Sequence, residues 1–461
     1  MEKRNEPRIG ENKMHATPVG KLLLNMALPL VMSMLVQALY NVVDSIYVSR
    51  VSESAVTALS LAFPIQNLQI GFSTGIAVGM NALLSKSLGE GNRERANRAA
   101  GNSIFLMLIA VGLFMIFGMF FAKPYYAMQS QVAETVEGGA AYTSICCIFT
   151  LGIFVEVLGE RLLQASGRTV YTLYTQGTGA VVNILLDPLF IFGGFGIPAM
   201  GIAGAAVATV IGQWVAGILA IYFNLKKNPD VSFGLKYIRP RWEIIRPVLT
   251  VGIPSTLMMA IGSIMNFLMN QIFLGFRDYG ETAAGVFGIY FKLQSFFFMP
   301  VFGLNNAAIS IIAYNYGARQ PKRIAQTLRY SAYAAFAVMM LGLAVFQVLP
   351  EMLLSIFEPS DDFLAIGTSA LRIVSFHFPL AAIGIALSAS FPALGNGSYS
   401  AIQSLSRQLI VLVPAAYLLS LTGNVHAVWW SFPVAEVVSV ILTVFLFLRI
   451  YRQRVKPLYE A

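Results

Sequence analysis

Charge is scarce in this chain. Asp, Glu, Lys and Arg make up 11% of its 461 residues and hydrophobic residues 57%, whereas a soluble domain carries roughly 25% charge. With a mean hydropathy of +0.68, this excludes a soluble globular enzyme. Cysteine is nearly absent: Cys146 and Cys147 are adjacent, a spacing that suits neither a disulfide framework nor a thiolate metal site. The three histidines, His15, His377 and His426, are too scattered for a metal cluster. No GxxxxGK[ST] loop is present, which removes support for transport driven directly by a nucleotide. The first 21 residues lack the short apolar region and small-residue cleavage site of a signal peptide, so no cleavage is expected.

What the chain does have is apolar runs. Spanning a bilayer takes about 20 residues, and such runs occur at 22–49, 56–85, 99–122, 138–160, 169–193, 200–223, 244–275, 279–315, 327–349, 363–391, 399–421 and 426–449. The predicted fold class is an all-α integral membrane protein of twelve helices, tilted and kinked where Gly and Pro interrupt them. Of the 31 Lys and Arg, all but Arg50, Lys123, Arg277, Lys292 and Arg372 are assigned to the tails or to the loop regions after every second span. Basic loops stay cytoplasmic, so both termini are expected there. The net charge of +9 is dispersed over these flanks rather than gathered into one patch, which argues against a nucleic-acid partner. A monomer in the lipid bilayer is expected.

The chain repeats itself. Ala27-Leu28-Pro29 aligns with Gly252-Ile253-Pro254 at an offset of 225, and at an offset of 228 Gln66 pairs with Gln294, Gly75 with Gly303, Gly89 with Gly317 and Gly167 with Gly395. Six spans separate equivalent points, so two pseudo-symmetric six-helix lobes of like orientation are predicted, with a cleft between them. The expected division is a tail (1–21), an N-lobe (22–223), a cytoplasmic linker (224–243), a C-lobe (244–449) and a second tail (450–461).

Asp44 and Asp187 lie inside apolar spans. A carboxylate at a helix centre costs roughly 2.5–3.5 kcal/mol on insertion scales, and it persists where it handles an ion or substrate. The repeat places Met269 and Ala415 at the equivalent positions, so charge handling is assigned to the first lobe alone. Asn183 precedes Asp187 by one helical turn and shares its face, and Thr209 adds a hydroxyl. Asp44, Asn183, Asp187 and Thr209 thus offer hard oxygen ligands suited to Na+, or carboxylates able to hold H+. Pro188 and Pro29 bend their helices and release carbonyl oxygens.

Three segments carry a family resemblance: Leu39-Tyr40-Asn41-Val42-Val43-Asp44, Asn183-Ile184-Leu185-Leu186-Asp187-Pro188 and Gly204-Ala205-Ala206-Val207-Ala208-Thr209. Here, over nearly its whole length, the chain resembles the multidrug and toxic compound extrusion (MATE) transporters, in their MepA-like bacterial branch. The resemblance implies an N-lobe site for sodium or protons at Asp44, Asn183, Asp187 and Thr209, with a gating bend at Pro29. A second cation site that another branch places in span 7 is not expected, because 252–276 contains no acid. The function implied is a cation-coupled antiporter exporting small amphipathic drugs or toxic organic cations, with no cofactor besides the coupling ion. A flippase for lipid-linked sugars is the alternative within transport, though it calls for a basic cleft; an intramembrane enzyme or receptor lacks a nucleophile and base or a sensing domain.

Candidate substrate contacts are Tyr40, Asn41, Gln66, Glu156, Glu160, Gln294, Arg372 and His377, with Glu436 of similar standing and Lys292 or Arg372 as its expected counter-ion. Gly71-Phe72-Ser73-Thr74-Gly75 matches the GxSxG of serine hydrolases, but it lies mid-span, where Gly79 continues a stripe of small residues. Close helix packing is the expected explanation.

Overall fold

The computed structural model describes residues 13–49, 51–194, 196–277, 279–357 and 360–460; within its helices, the side chains of 13, 40–42, 44–46, 48, 49, 53 and 56 lie outside the description. The helices that matter for function are α1 (Val19–Ser49), α2 (Glu53–Gly89), α3 (Arg93–Ala127), α4 (Ala133–Ile148), α5 (Leu151–Ala165), α6 (Val170–Phe192), α7 (Ile202–Lys227), α8 (Trp242–Leu274), α9 (Gly280–Gly317), α10 (Pro321–Val348), α11 (Asp361–Ser375), α12 (Phe378–Ala393), α13 (Gly397–Ser420) and α14 (Val425–Tyr459). Among the described residues the only β feature is an isolated bridge between Gly194 and Ile197. Among the described residues ten helices are long and apolar enough to cross a membrane, and the count reaches twelve when α4 with α5 and α11 with α12 each form one broken span. Large apolar side chains such as Phe120, Leu185 and Ile441 point outward, as a lipid solvent requires.

The repeat is written into the backbone. The two broken spans bend by 46° and 47°, at Phe149 and His377, which are 228 residues apart. Gly167 and Gly395, another pair at that offset, both have positive φ, of 72° and 77°. Gly91 (φ 71°) has Arg319 (φ 53°) as its counterpart, and Arg319 is the only non-glycine residue with positive φ among those described.

Two compact units emerge, the first including Met32–Thr256 and the second Thr17–Val31 with Leu257–Ala461. The chain changes unit inside α1 and again inside α8, at Met32 and Leu257, which stand at the same offset of 225 as the sequence repeat. Within the first unit the start of α8 packs on α2. A Cβ on Gly75 would sit 2.6 Å from the Gly252 carbonyl and one on Gly79 2.1 Å from that of Val248, while the Thr256 hydroxyl donates to the Gly71 carbonyl at 2.9 Å. The GxSxG segment is therefore a packing stripe, as expected from its mid-span position. In the second unit the equivalent Gly303 lies against α1, where a Cβ would meet the Val31 nitrogen at 2.9 Å.

Three helices contain π-helical stretches: Phe117–Phe121, Ser406–Leu412 and Tyr451–Val455. Each ends two or three residues before a proline, namely Pro124, Pro414 and Pro457. Proline lacks an N–H and its ring clashes with the carbonyl four residues back; widening the preceding turn relieves that clash without breaking the span.

Candidate functional site

The first-unit site is built on α6 and α7. These helices approach closely through two glycines: a Cβ on Gly179 would lie 3.0 Å from the Gly212 carbonyl, and one on Gly212 would lie 2.8 Å from that of Gly179. One turn along, the tight contact buries the polar face of α6. Asp187 is 0% exposed, Asn183 3% and Thr209 8%. The Asn183 amide nitrogen donates to Asp187 Oδ1 at 3.3 Å and to the Thr209 hydroxyl at 3.4 Å. With the amide turned over, it donates to Asp187 Oδ2 at 3.2 Å and its oxygen accepts from the Thr209 backbone N–H at 3.2 Å. In either orientation one amide links carboxylate to α7. Pro188 sits in the last turns of α6 without ending it, and its missing N–H leaves the Ile184 carbonyl without its usual helical donor.

Three of the four predicted cation ligands are thus together. The side chain of the fourth, Asp44, lies outside the described residues, as do those of Tyr40 and Asn41. Pro29 lies buried inside α1, three residues before Met32, where that helix changes unit. A contact without a signal in the sequence ties α1 to α6: the buried Ser33 hydroxyl bonds to the Gln176 side chain. Serine and glutamine within an apolar run carry no periodicity that would name their partners.

The remaining candidates separate into distinct places. Gln66 donates to the Tyr142 hydroxyl at 2.7 Å. In the second unit its repeat mate Gln294 accepts from the Tyr290 hydroxyl. Glu156 and Glu160 occupy successive turns of α5. Glu160 is buried and accepts from the Thr175 hydroxyl at 2.7 Å, whereas Arg161 donates to Gln164 at 3.1 Å. Arg372 is exposed and does not join His377, which is buried at the break between α11 and α12. The His377 ring bonds through Nδ1 to the Val374 carbonyl at 2.6 Å and lies among Phe298, Phe378 and Phe432.

The counter-ion of Glu436 is neither Lys292 nor Arg372, both of which are exposed. It is Arg407, whose guanidinium lies 3.2 Å from the Glu436 carboxylate. Arg407 belongs to the π-helical stretch of α13 and so lies inside a span, not in the loop region before it. Widening the helix ahead of Pro414 turns Arg407 toward α14, where Glu436 is 4% exposed. Among the described residues no group of three or more His, Cys, Asp or Glu side chains is placed to hold a metal ion.

The MatE family model matches residues 29–189 and again 254–418, and the two matches start 225 residues apart. The multidrug export protein MepA of Staphylococcus haemolyticus is 23% identical over 429 residues, covering 93% of each chain. The probable multidrug resistance protein YoeA of Bacillus subtilis is 26% identical over 450 residues, covering 96% of each. The solved structure of an outward-facing multidrug resistance MATE family transporter of the MOP superfamily superposes with a TM-score of 0.90 at 25% identity, over 99% of this chain and 100% of that one. One model matched twice in tandem, at equivalent points of an internal repeat, and a fold shared end to end together place the sequence: this chain belongs to the MATE family and is a membrane transporter of MepA-like type, not an enzyme.

Proposed function

We propose that the protein is an antiporter that exports amphipathic, cationic organic compounds from a bacterial cytoplasm, driven by entry of H+ or Na+ at Asp44, Asn183, Asp187 and Thr209. The observation that carries this reading is the fully buried Asp187, which accepts from the Asn183 amide at 3.3 Å beside the Thr209 hydroxyl. A carboxylate buried within a membrane span is stabilised by taking up a proton or by binding a cation. The Asn183 amide nitrogen stands where such a cation would sit, between the carboxylate and the Thr209 hydroxyl. Turning the amide over exchanges its nitrogen for an oxygen, so carboxylate, amide and hydroxyl then offer the oxygen set a hard ion requires.

Drug and ion need not touch. If ion entry favours one state of α1 around Pro29 and the drug favours the other, each displaces the other through that equilibrium. The basic flanks support cytoplasmic termini, and the names of the relatives support drugs as cargo. The test is efflux of a cationic dye from proteoliposomes under separately imposed pH and sodium gradients. Efflux should follow one of the two gradients and should be lost in Asp44→Asn and Asp187→Asn, which keep shape and remove charge. Undiminished gradient-driven efflux in both variants would reject the site.

A further inference from the structure

We propose that the polar segment after α7 is a fixed strap that completes a binding site for the phosphate headgroup of an anionic lipid, in the cavity between the starts of α3 and α8. The segment is pinned to its own unit at several points. Asn224, in the last turns of α7 where the strap begins, donates to the Gly159 carbonyl at 2.8 Å, Arg168 pairs with Asp230 at 3.6 Å, and the Ser232 N–H donates to the Asn97 side chain at 2.8 Å. Asn102 is wholly buried and holds the strap from both sides of its amide: it donates to the carbonyls of Tyr237 at 2.9 Å and Arg239 at 3.2 Å, and it accepts from the Arg241 N–H at 2.7 Å. Gly101 makes room for this, since a Cβ there would stand 2.3 Å from the Tyr237 carbonyl. A tether needed only for its length would not require three buried asparagines and a glycine to fix its path.

What the strap positions is Arg241. It lines a cavity of about 300 Å³ together with Arg95, Arg98, Glu94 and Glu243. Arg95 is engaged with Glu90 at 3.2 Å and Arg98 with Glu94 at 2.7 Å, whereas Arg241 enters no ion pair among the described residues. Three guanidiniums against two lining carboxylates leave the wall net positive, and the starts of α3 and α8 add the positive ends of two long helices. Guanidinium forks match phosphate oxygens. The surroundings point to a phosphate carried by a lipid: Phe233 and Leu235 of the strap and Trp242, the residue after Arg241, are exposed, as apolar and aromatic anchors are at a membrane interface. Basic clusters immediately beside spans recognise anionic headgroups. The site does not depend on which ion or drug the transporter handles.

The experiment is thermal unfolding of the full-length protein in a neutral detergent, titrated with short-chain phosphatidylglycerol, with phosphatidylcholine of equal chain length, or with inorganic phosphate. Phosphatidylglycerol should raise the melting temperature saturably and the other two should not. Arg241→Gln should weaken its apparent affinity about fivefold, the roughly 1 kcal/mol a basic residue contributes near an anionic surface. Glu243→Gln, which removes an opposing charge from the wall, should strengthen it. Arg329→Gln, in the other unit, should leave it unchanged. An equal shift with phosphatidylcholine, or an affinity for phosphatidylglycerol that neither Arg241→Gln nor Glu243→Gln alters, would overturn the site. An equal shift with inorganic phosphate would overturn the lipid assignment.

Discussion

At the scale of single residues, the first unit's site rests on short-range chemistry with few parts. Thr209 contributes a hydroxyl at 3.4 Å from the Asn183 amide, and Thr209→Val keeps its shape while deleting that oxygen. The coupling ion should then bind about fivefold more weakly, the effect of roughly 1 kcal/mol expected for one hydrogen-bonding group, with folding intact. Titrating ion-dependent dye efflux would measure this, and an unchanged half-saturating ion concentration would remove Thr209 from the site. Arg319 makes a separate case. It holds φ 53° where its repeat mate is Gly91, and a side chain in the left-handed region costs roughly 1–2 kcal/mol. Arg319 is exposed, so Arg319→Gly should raise thermal stability by about 0.5–1 kcal/mol, after glycine's own entropic cost; a lower melting temperature would mean that the guanidinium makes a contact worth more than the strain. The Asn183–Asp187 pair was legible in the sequence because i and i+4 positions must share a helix face. Thr209 entered as a hydroxyl in the next apolar span and the family resemblance supported it, since no spacing rule joins residues on two helices.

At the scale of elements, spans and repeat were readable, because hydropathy and a constant offset are properties of the chain itself; the breaks at Phe149 and His377 fall inside runs read as continuous spans. Partners across helices were not readable. Arg407 looked like one more basic residue of a flanking region, and only the π-helical stretch ending before Pro414 brings it to Glu436. Pro414 is therefore expected to control that ion pair. Pro414→Ala restores a backbone donor and removes the ring clash, so the widened turn can tighten to an α-helix, which rotates Arg407 away from α14. A double-mutant cycle on melting temperatures, using Arg407→Met and Glu436→Gln, should show strong coupling in the parent protein, since leaving one member of a buried pair alone typically costs about 3–5 kcal/mol. In the Pro414→Ala background the coupling should fall by half or more. Coupling of the same size in both backgrounds would mean that the π-helical stretch does not set the pair. The strap after α7 had the composition of a loose linker, and its anchoring by Asn97 and Asn102 left no periodic trace.

At the scale of the whole molecule, a duplicated backbone carries two different kinds of charge. The first unit buries Asp187 against an amide, and the second places Ala415 there by the repeat and Met269, wholly buried, at the position equivalent to Asp44. Its own buried acid, Glu436, already has a permanent counter-ion in Arg407. An acid neutralised by a fixed arginine has little reason to take up and release an ion in each cycle, whereas Asp187 stands with the amide and hydroxyl that complete the proposed ion site. Ion dependence should therefore reside in the first unit alone. In proteoliposomes under imposed pH or sodium gradients, Asp187→Asn should abolish the dependence of efflux on the driving ion. Arg407→Met with Glu436→Gln, which removes both charges together, should leave the identity and half-saturating concentration of that ion unchanged, even where the rate or the range of compounds carried is altered. A shift of ion dependence in the double variant, with Asp187→Asn still responding to the gradient, would place coupling in the second unit and reverse the assignment.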